Sequence, residues 1–366
     1  EHYNYGRPHS SLDGFTPSDR YFGIIEALKK YITDYQAPKN KQEEAENENI
    51  GIARASKLYL IGKVLGHEVR IQELGAKILE AIYEDSFHRH SFGFRPKRNT
   101  HQAIARLYKV IQERGENCVV VEMDLEKFFN SMDHEKLLEI LSVKIEDHHF
   151  LRLIRRMLRN STLTEEGEIR QNERGTPQGA PISPILANIY LDACLDSWFQ
   201  QNWGQHAQMV RYADDAVFVF TNMKLAEEFK RSLADRFEGF GLKMNEDKSG
   251  IVNFNLYSPE SEIQFLGFHL YWGKKSLRSS KKLLKVKTSP NKLGKSIEAF
   301  GDWIKAQRSH LTLDKIWEQT AQKLRGHYSY YGLIFNRPKL SYFYHAIVGM
   351  LFKWLNRRTQ KRSYTW

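Results

Sequence analysis

Apolar residues recur along this chain in two rhythms, and the switch between them marks out the elements. IQELGAKILEAIY (71–83) spaces its apolar residues by three and four, which predicts a helix with one buried stripe. Thr100–Glu113 repeats that spacing, with Thr100 as the expected N-cap. CVVVEM (Cys118–Met123) is a β-branched run that ends against Asp124 and predicts a strand. His134–Val143 is again helical. Ser183-Pro184 supplies an N-cap and a proline at the first helical position, opening a long helix over Pro184–Gln200. Met209–Tyr212 and Ala216–Thr221 predict a hairpin around Asp214-Asp215. Leu225–Phe237 is an amphipathic helix, and Gly250–Asn255 and Gln264–Trp272 are strands. From Ser296 onward three helical stretches follow, at 296–308, 312–331 and 339–358.

The N-terminal part lacks such order. Residues 1–23 are rich in turn formers and predict an extended segment; 24–35 (IIEALKKYITDY) predict a short helix, and 37–50 a charged linker. The middle of the chain therefore reads strand, helix, helix, hairpin, helix, strand. That order predicts an α+β fold with helices on an antiparallel sheet, followed by an all-α module.

Composition sharpens this reading at one end. Hydrophobic residues make up 41% of the 366, which is the composition of a globular chain. The net charge of +11 is uneven: Tyr271–Trp366 holds 21 Lys/Arg against 4 Asp/Glu, a net +17, and leaves −6 for the first 270 residues. No acid follows Glu318, and aromatics such as Trp303, Trp317, Tyr330, Tyr344 and Trp354 interleave with the cations. That pattern suits a nucleic-acid backbone better than a merely solvated face. Cys118 and Cys194 are the only cysteines, so a disulfide framework and a thiolate metal site are excluded. No apolar run approaches a membrane span, and a soluble cytoplasmic protein is expected.

The candidate chemistry lies at strand ends. Asp124 closes one apolar run and Asp214-Asp215 sit at the tip of another, in RYADDAVFVF (211–220). If the two strands are neighbours, the carboxylates converge and require a cation, for which hard oxygen ligands select Mg²⁺ or Mn²⁺. Such ions can activate a 3′-hydroxyl and stabilise a leaving pyrophosphate. Surface turn acids are the plain alternative. RGTPQGAPISPILANIYLD (Arg174–Asp192) adds two proline-bounded turns in which Gly175 and Gly179 permit close backbone approach to a ligand and Gln178 offers an amide.

Together with SFGFRPKRNTHQAI (Ser91–Ile104), MDLEKFFNSMDHEKLL (Met123–Leu138), GLKMNEDKSGIV (Gly241–Val252), FLGF (Phe265–Phe268), LRGHYSYYG and WLNRRTQKRSYTW, these blocks resemble group II intron-encoded reverse transcriptases. The resemblance runs over roughly 65–366 and implies a right-hand polymerase palm with truncated fingers and an all-α thumb, or maturase, domain. It implies remnant fingers over 56–115, a palm over 116–272 and the basic helical domain over 273–366, behind a 24–55 helix and linker. Asp124, Asp214 and Asp215 would be the metal carboxylates, Asp215 less directly, with the Leu125 carbonyl assisting. Phe129 would exclude a ribose 2′-hydroxyl, although Phe128 and Phe129 both suit a core. Gln178 would line the nucleotide pocket, Arg95 would touch template or triphosphate or else brace a turn, and Lys248 would protonate pyrophosphate or stand as a surface lysine. Tyr212, Gly179, Arg325, Arg357 and Arg358 would meet primer and template. Implied partners are RNA template, DNA primer, deoxynucleoside triphosphates and group II intron RNA.

Two departures accompany the resemblance. KVLGHEVRIQE (Lys63–Glu73) keeps only Arg70 and Gln72-Glu73 of the fingers pattern, so most of the fingers is expected to be missing. HYNYGRPHSSLDGFTPSDRYFG (His2–Gly23) instead resembles the C-terminal tail of insertion-sequence transposases of the integrase-core family, without that fold's catalytic acids. The chain is also expected to lack the DNA-binding and endonuclease region of many group II proteins. The alternatives to a polymerase are a non-catalytic RNA-binding maturase and an inactive mobile-element fragment.

Overall fold

The computed structural model describes residues 71–115, 117–159, 162–163, 169–170, 174–176, 180–256, 261–275 and 281–357. The elements expected over 1–23, 24–35 and 37–50 lie outside the described residues, as do Arg70, Gln178, Gly179 and Arg358. The described strands are β1 (Asn117–Met123), β2 (Thr162–Leu163), β3 (Ile169–Arg170), β4 (Gln208–Tyr212), β5 (Asp215–Phe220), β6 (Gly250–Asn255), β7 (Glu262–Phe265), β8 (Phe268–Lys274) and β9 (Lys282–Thr288). No described helix is long and apolar enough to cross a membrane. The chain divides into two compact units.

The first unit takes its described residues from 71–98, 125–205 and 231–245. Its helices start where the sequence supplies side-chain acceptors. Asp133 caps His134–Ser142 through the Glu135 and Lys136 N–H groups, and Asp147 caps His148–Leu158 through His149 and Phe150. The second of these is an addition to the sequence reading, because HHFLRLIRRML interleaves four apolar core residues with arginines. Ser183–Leu191 is apolar around its whole circumference and buries every residue but Pro184, as a core helix should. Ser183 is not its cap: the helix begins at Ser183, with Ile182 in the cap position and no side-chain cap bond. The helix expected over Pro184–Gln200 is interrupted by a π-turn at Asp192–Asp196 before continuing as Ser197–Asn202. A π-turn inserts one residue into the helical repeat.

The second unit takes its described residues from 99–124, 206–230 and 246–357. Its main sheet is antiparallel, ordered β4-β5-β1-β6. The valines of β1 pair outward on both sides, Val120 opposite Val219 and also opposite Val252, which makes β1 a central strand and explains its unbroken apolar run. The helix Thr100–Arg114 is capped by Asn99 rather than Thr100, in a reciprocal capping box with Gln102. A second sheet, β7-β8-β9, replaces the single strand expected over Gln264–Trp272. The break falls at Leu266-Gly267, where two positive φ angles turn the chain back on itself. β9 escapes the sequence reading because KLLKVKT carries three lysines in seven residues and looks solvated.

Three helices complete this unit: Pro290–Gln307, Leu313–Tyr331 and Arg337–Leu355. Leu293, Phe300, Ile304, Ile316, Phe343, Ile347, Leu351 and Leu355 form their shared core. One polar residue links this layer to β9. Asn336 is fully buried; its Oδ1 accepts the Thr288 N–H at 2.8 Å and its Nδ2 donates to Thr288 Oγ1 and to the Tyr331 carbonyl, both at 2.7 Å. Removing it strands a buried donor and a buried acceptor. Asn336→Ala is expected to lower unfolding free energy by on the order of 3 kcal/mol, measured by urea titration, where an unchanged midpoint would contradict the assignment.

Candidate active site

The site is built on the hairpin between β4 and β5. Tyr212 pairs with Asp215, so only Ala213 and Asp214 form the loop. Ala213 adopts φ +56°, a conformation that alanine seldom takes. Arg211, fully buried beneath the turn, donates from Nη1 to the Ala213 carbonyl at 2.8 Å and holds it there. This local brace projects Asp214 from the tip. β5 begins at Asp215, and continuing the β1–β5 register one step past Met123↔Ala216 sets Asp124 opposite Asp215.

Asp124 is fixed at its backbone by Ser249. That hydroxyl accepts the Asp124 N–H at 3.1 Å and donates to the Asp124 carbonyl at 3.3 Å. The Asp124 carboxylate forms an ion pair with Lys248 Nζ at 3.1 Å. Burial raises the Asp214 carboxyl above its ordinary range, and the Asp124 charge raises it further. Burial pushes the Asp215 carboxyl up to about 7, opposed by the Leu266 N–H, which reaches Oδ2 at 3.5 Å. Glu122, two residues before Asp124, is pushed to about 7 by burial as well, with its Oε1 accepting the Gln264 N–H at 2.5 Å. The three aspartates thus share one neighbourhood in which their negative charges oppose one another. Among the described residues, no three His, Cys, Asp or Glu side chains form a closed metal-ligating cluster, and Asp215 is turned toward Leu266.

The remaining predicted residues fall into several settings. Tyr212 is half-buried at the end of β4. Arg325 is exposed, and exposed Arg357 lies over the Trp354 ring at 5.3 Å. In the first unit, Phe128 and Phe129 separate: Phe128 is 2% exposed and packs against Tyr190, whereas Phe129 is half-buried and meets the edge of Phe94 at 6.2 Å. Leu125 is buried in an isolated antiparallel bridge with Met244.

Two expectations need correction. Gly175 does permit a close approach, but to the chain's own backbone. An added Cβ would lie 2.5 Å from the Phe129 carbonyl oxygen, and Gly175 N–H donates to Met132 O at 2.7 Å. Arg95 does not reach toward solvent. It is 7% exposed and directs its donors to the Glu84 carboxylate and to the Glu84, His88 and Ser91 carbonyls, so it braces the 84–95 loop. The sequence reading missed Arg211, Ser249 and Glu122. Each lies within two residues of a candidate acid in sequence or in register, which is the signal that could have found them.

A family model described as reverse transcriptase (RNA-dependent DNA polymerase) matches residues 68–270. An uncharacterised 91 kDa protein in a cob intron of Schizosaccharomyces pombe is 43% identical over 122 residues, covering 33% of this chain and 14% of that protein. Group II intron-encoded protein LtrA of Lactococcus lactis subsp. cremoris is 34% identical over 181 residues, covering 50% of this chain and 28% of that protein. Among solved structures, apo telomerase from Candida tropicalis aligns with a TM-score of 0.49 at 12% identity, over 87% of this chain and 55% of that one. The chain spans well under two thirds of the length of these relatives.

If Arg95 is a brace, its loss is felt in stability. Arg95→Ala leaves Glu84 partly buried without its partner, and is expected to destabilise the protein by about 3 kcal/mol in chemical denaturation. Loss of nucleotide affinity at unchanged stability would restore the binding role.

Proposed function

The chain belongs to the reverse transcriptase (RNA-dependent DNA polymerase) family, and from that premise we propose that it extends a DNA primer along an RNA template. The observation that carries the reading is the meeting of Asp124, at the end of central strand β1, with Asp214-Asp215 on the adjacent β5 hairpin. Carboxylates that raise one another's proton affinity form a hard-oxygen donor set that suits a small divalent cation. Asp124 and Asp214 would hold Mg²⁺ or Mn²⁺, with Asp215 and the Leu125 carbonyl in support. When bound, the cation supplies activation of the primer 3′-hydroxyl and neutralises charge on the departing pyrophosphate.

The chain's own groups do the rest. Lys248 neutralises Asp124 at rest, and its 66% exposed side chain can transfer its charge and a proton to pyrophosphate. Arg211 keeps the strained Ala213 turn, and with it the Asp214 carboxylate, in one place. We assign Phe129 to exclusion of a ribose 2′-hydroxyl, Gln178 and Gly179 to the nucleotide and template surface, and Tyr212 to the primer terminus. Arg325, Arg357 and Arg358 would contact phosphates, and the surplus of cations after Tyr271 favours structured RNA, including a group II intron, as a partner. The buried thiols of Cys118 and Cys194 suit a reducing, cytoplasmic setting. The transposase-like tail at His2–Gly23 is consistent with a mobile-element origin.

A second reading draws on the Lys248–Asp124 pair: a lysine already compensating the acid also suits a protein that binds RNA without catalysis. Extension of oligo(dT) on poly(rA) with Mg²⁺ or Mn²⁺ separates the two. Asp214→Asn is expected to reduce extension at least about 10³-fold while leaving RNA affinity within about twofold, since it removes a group used in the transition state. Full activity in that variant would sink the polymerase reading, and salt-sensitive RNA binding with no incorporation by the unmodified chain would select the second. Phe129→Ala is expected to raise ribonucleotide over deoxyribonucleotide incorporation about tenfold or more, scored by kcat/KM ratios. An unchanged ratio would remove Phe129 from the discriminating role.

A further inference from the structure

The loop joining β7 to β8 contains two residues, Leu266 and Gly267, because Phe265 pairs directly with Phe268. Both occupy the left-handed region, with φ +51° and +78°. That is the tight hairpin geometry that favours Asn-Gly. Leucine is a strained occupant of the first position, and such strain survives only where the surroundings over-determine the backbone. Here they do. The Leu266 N–H donates to Asp215 Oδ2 at 3.5 Å, and the Leu266 carbonyl accepts the Tyr330 hydroxyl at 3.0 Å. The Gly267 carbonyl accepts the Ser289 N–H at 3.0 Å. A Cβ at position 267 would come within 3.2 Å of the Tyr331 hydroxyl.

Tyr330 is itself held from three sides. Its ring stacks on fully buried Phe268 with centroids 5.8 Å apart and planes 16° apart. Its carbonyl meets His101 Nε2 at 2.7 Å, and its hydroxyl is the one held by Leu266. Tyr330 lies in the last turn of the helix Leu313–Tyr331. One residue, Leu266, therefore has its N–H on a candidate active-site carboxylate and its carbonyl on a helix of the basic C-terminal module.

We infer that Tyr330 is a positioning residue for Asp215, acting through the Leu266 backbone to hold the carboxylate in place. The inference rests on the reading of Asp124, Asp214 and Asp215 as a polymerase centre. Tyr330 touches no reacting atom; its hydroxyl sets where the Leu266 N–H lies, and that N–H sets where Oδ2 of Asp215 lies. The last helical turn is thereby tied to the acid by hydrogen bonds rather than by charge.

Tyr330→Phe keeps the ring on Phe268 and deletes only the hydroxyl. Primer extension by this variant is expected to show kcat lowered about five- to tenfold, with nucleotide KM and template–primer Kd within about twofold of the unmodified chain. Mn²⁺ binding without nucleic acid, read from the free-ion electron paramagnetic resonance signal, is expected to weaken about threefold, as displacement of a supporting carboxylate requires. Unchanged kcat together with unchanged Mn²⁺ binding overturns the inference, as does a loss confined to template–primer Kd. Gly267→Ala, which presses on Tyr331 from the other end of the turn, should reproduce the kcat loss and serves if Tyr330→Phe unfolds. Full extension by Asp214→Asn would refute the polymerase reading on its own. The Mn²⁺ comparison of the unmodified chain with Tyr330→Phe would still decide whether Tyr330 governs the acid.

Discussion

Like charges gathered at the end of an apolar sheet repel, and the second unit is organised around holding them together. Asp124, Asp214 and Asp215 would separate if their strands were free to adjust. They cannot, because β1 is locked on both sides by valine pairs and β5 is pinned between β1 and β4. The free energy that keeps the acids close comes from apolar burial several residues away. Local devices then aim each carboxylate: Ser249 clamps the Asp124 backbone, Arg211 the Ala213 turn, and the Leu266 N–H the Asp215 side chain. Lys248 offsets part of the repulsion with an exposed charge, which is easier to exchange than a buried one.

The first unit follows a different logic. Its Arg95–Glu84 pair is almost removed from water, and Arg95 spends its hydrogen bonds on its own loop. Gly175 plays a similar part, letting the 174–176 segment lie directly on the backbone of Phe129 and Asn130. Both residues look like ligand-binding signals in a linear sequence and turn out to be fastenings. Phe129, by contrast, is left half-buried beside an exposed Phe94 that itself adopts φ +55°.

Elements with strong period were legible in the sequence. The stripes of 71–83 and Thr100–Glu113 and the valine run of β1 are local signals that tertiary packing reinforces. The candidate acids were also legible, because short apolar runs around Asp124 and Asp214 left few other reasons for charge there. What was hidden depends on long-range partners. β9 reads as solvated until Lys287 finds Glu262 and the face of Tyr271. The turn at Leu266-Gly267 is disguised by a leucine where asparagine is usual, because contacts from Asp215 and Tyr330 compensate for its strain. Arg95 is ambiguous in sequence for the same reason: a guanidinium suits phosphate and carboxylate equally well, and only the fold supplies Glu84.

The π-turn at Asp192–Asp196 has a consequence for how such a chain can change over generations. A helix carrying one extra residue keeps separate counts on its two sides, so Ser183–Leu191 can be read independently of Ser197–Asn202. Losing or gaining a residue in most helices rotates everything downstream by about 100° and drags core residues to the surface. Here the mismatch is already absorbed in one turn, with Cys194, Leu195 and Asp196 all buried at the join. A one-residue change of length at this join would therefore fall where the helical repeat is already broken, and a fixed repeat carried across it from Ser183–Leu191 misplaces Phe199 and Trp203.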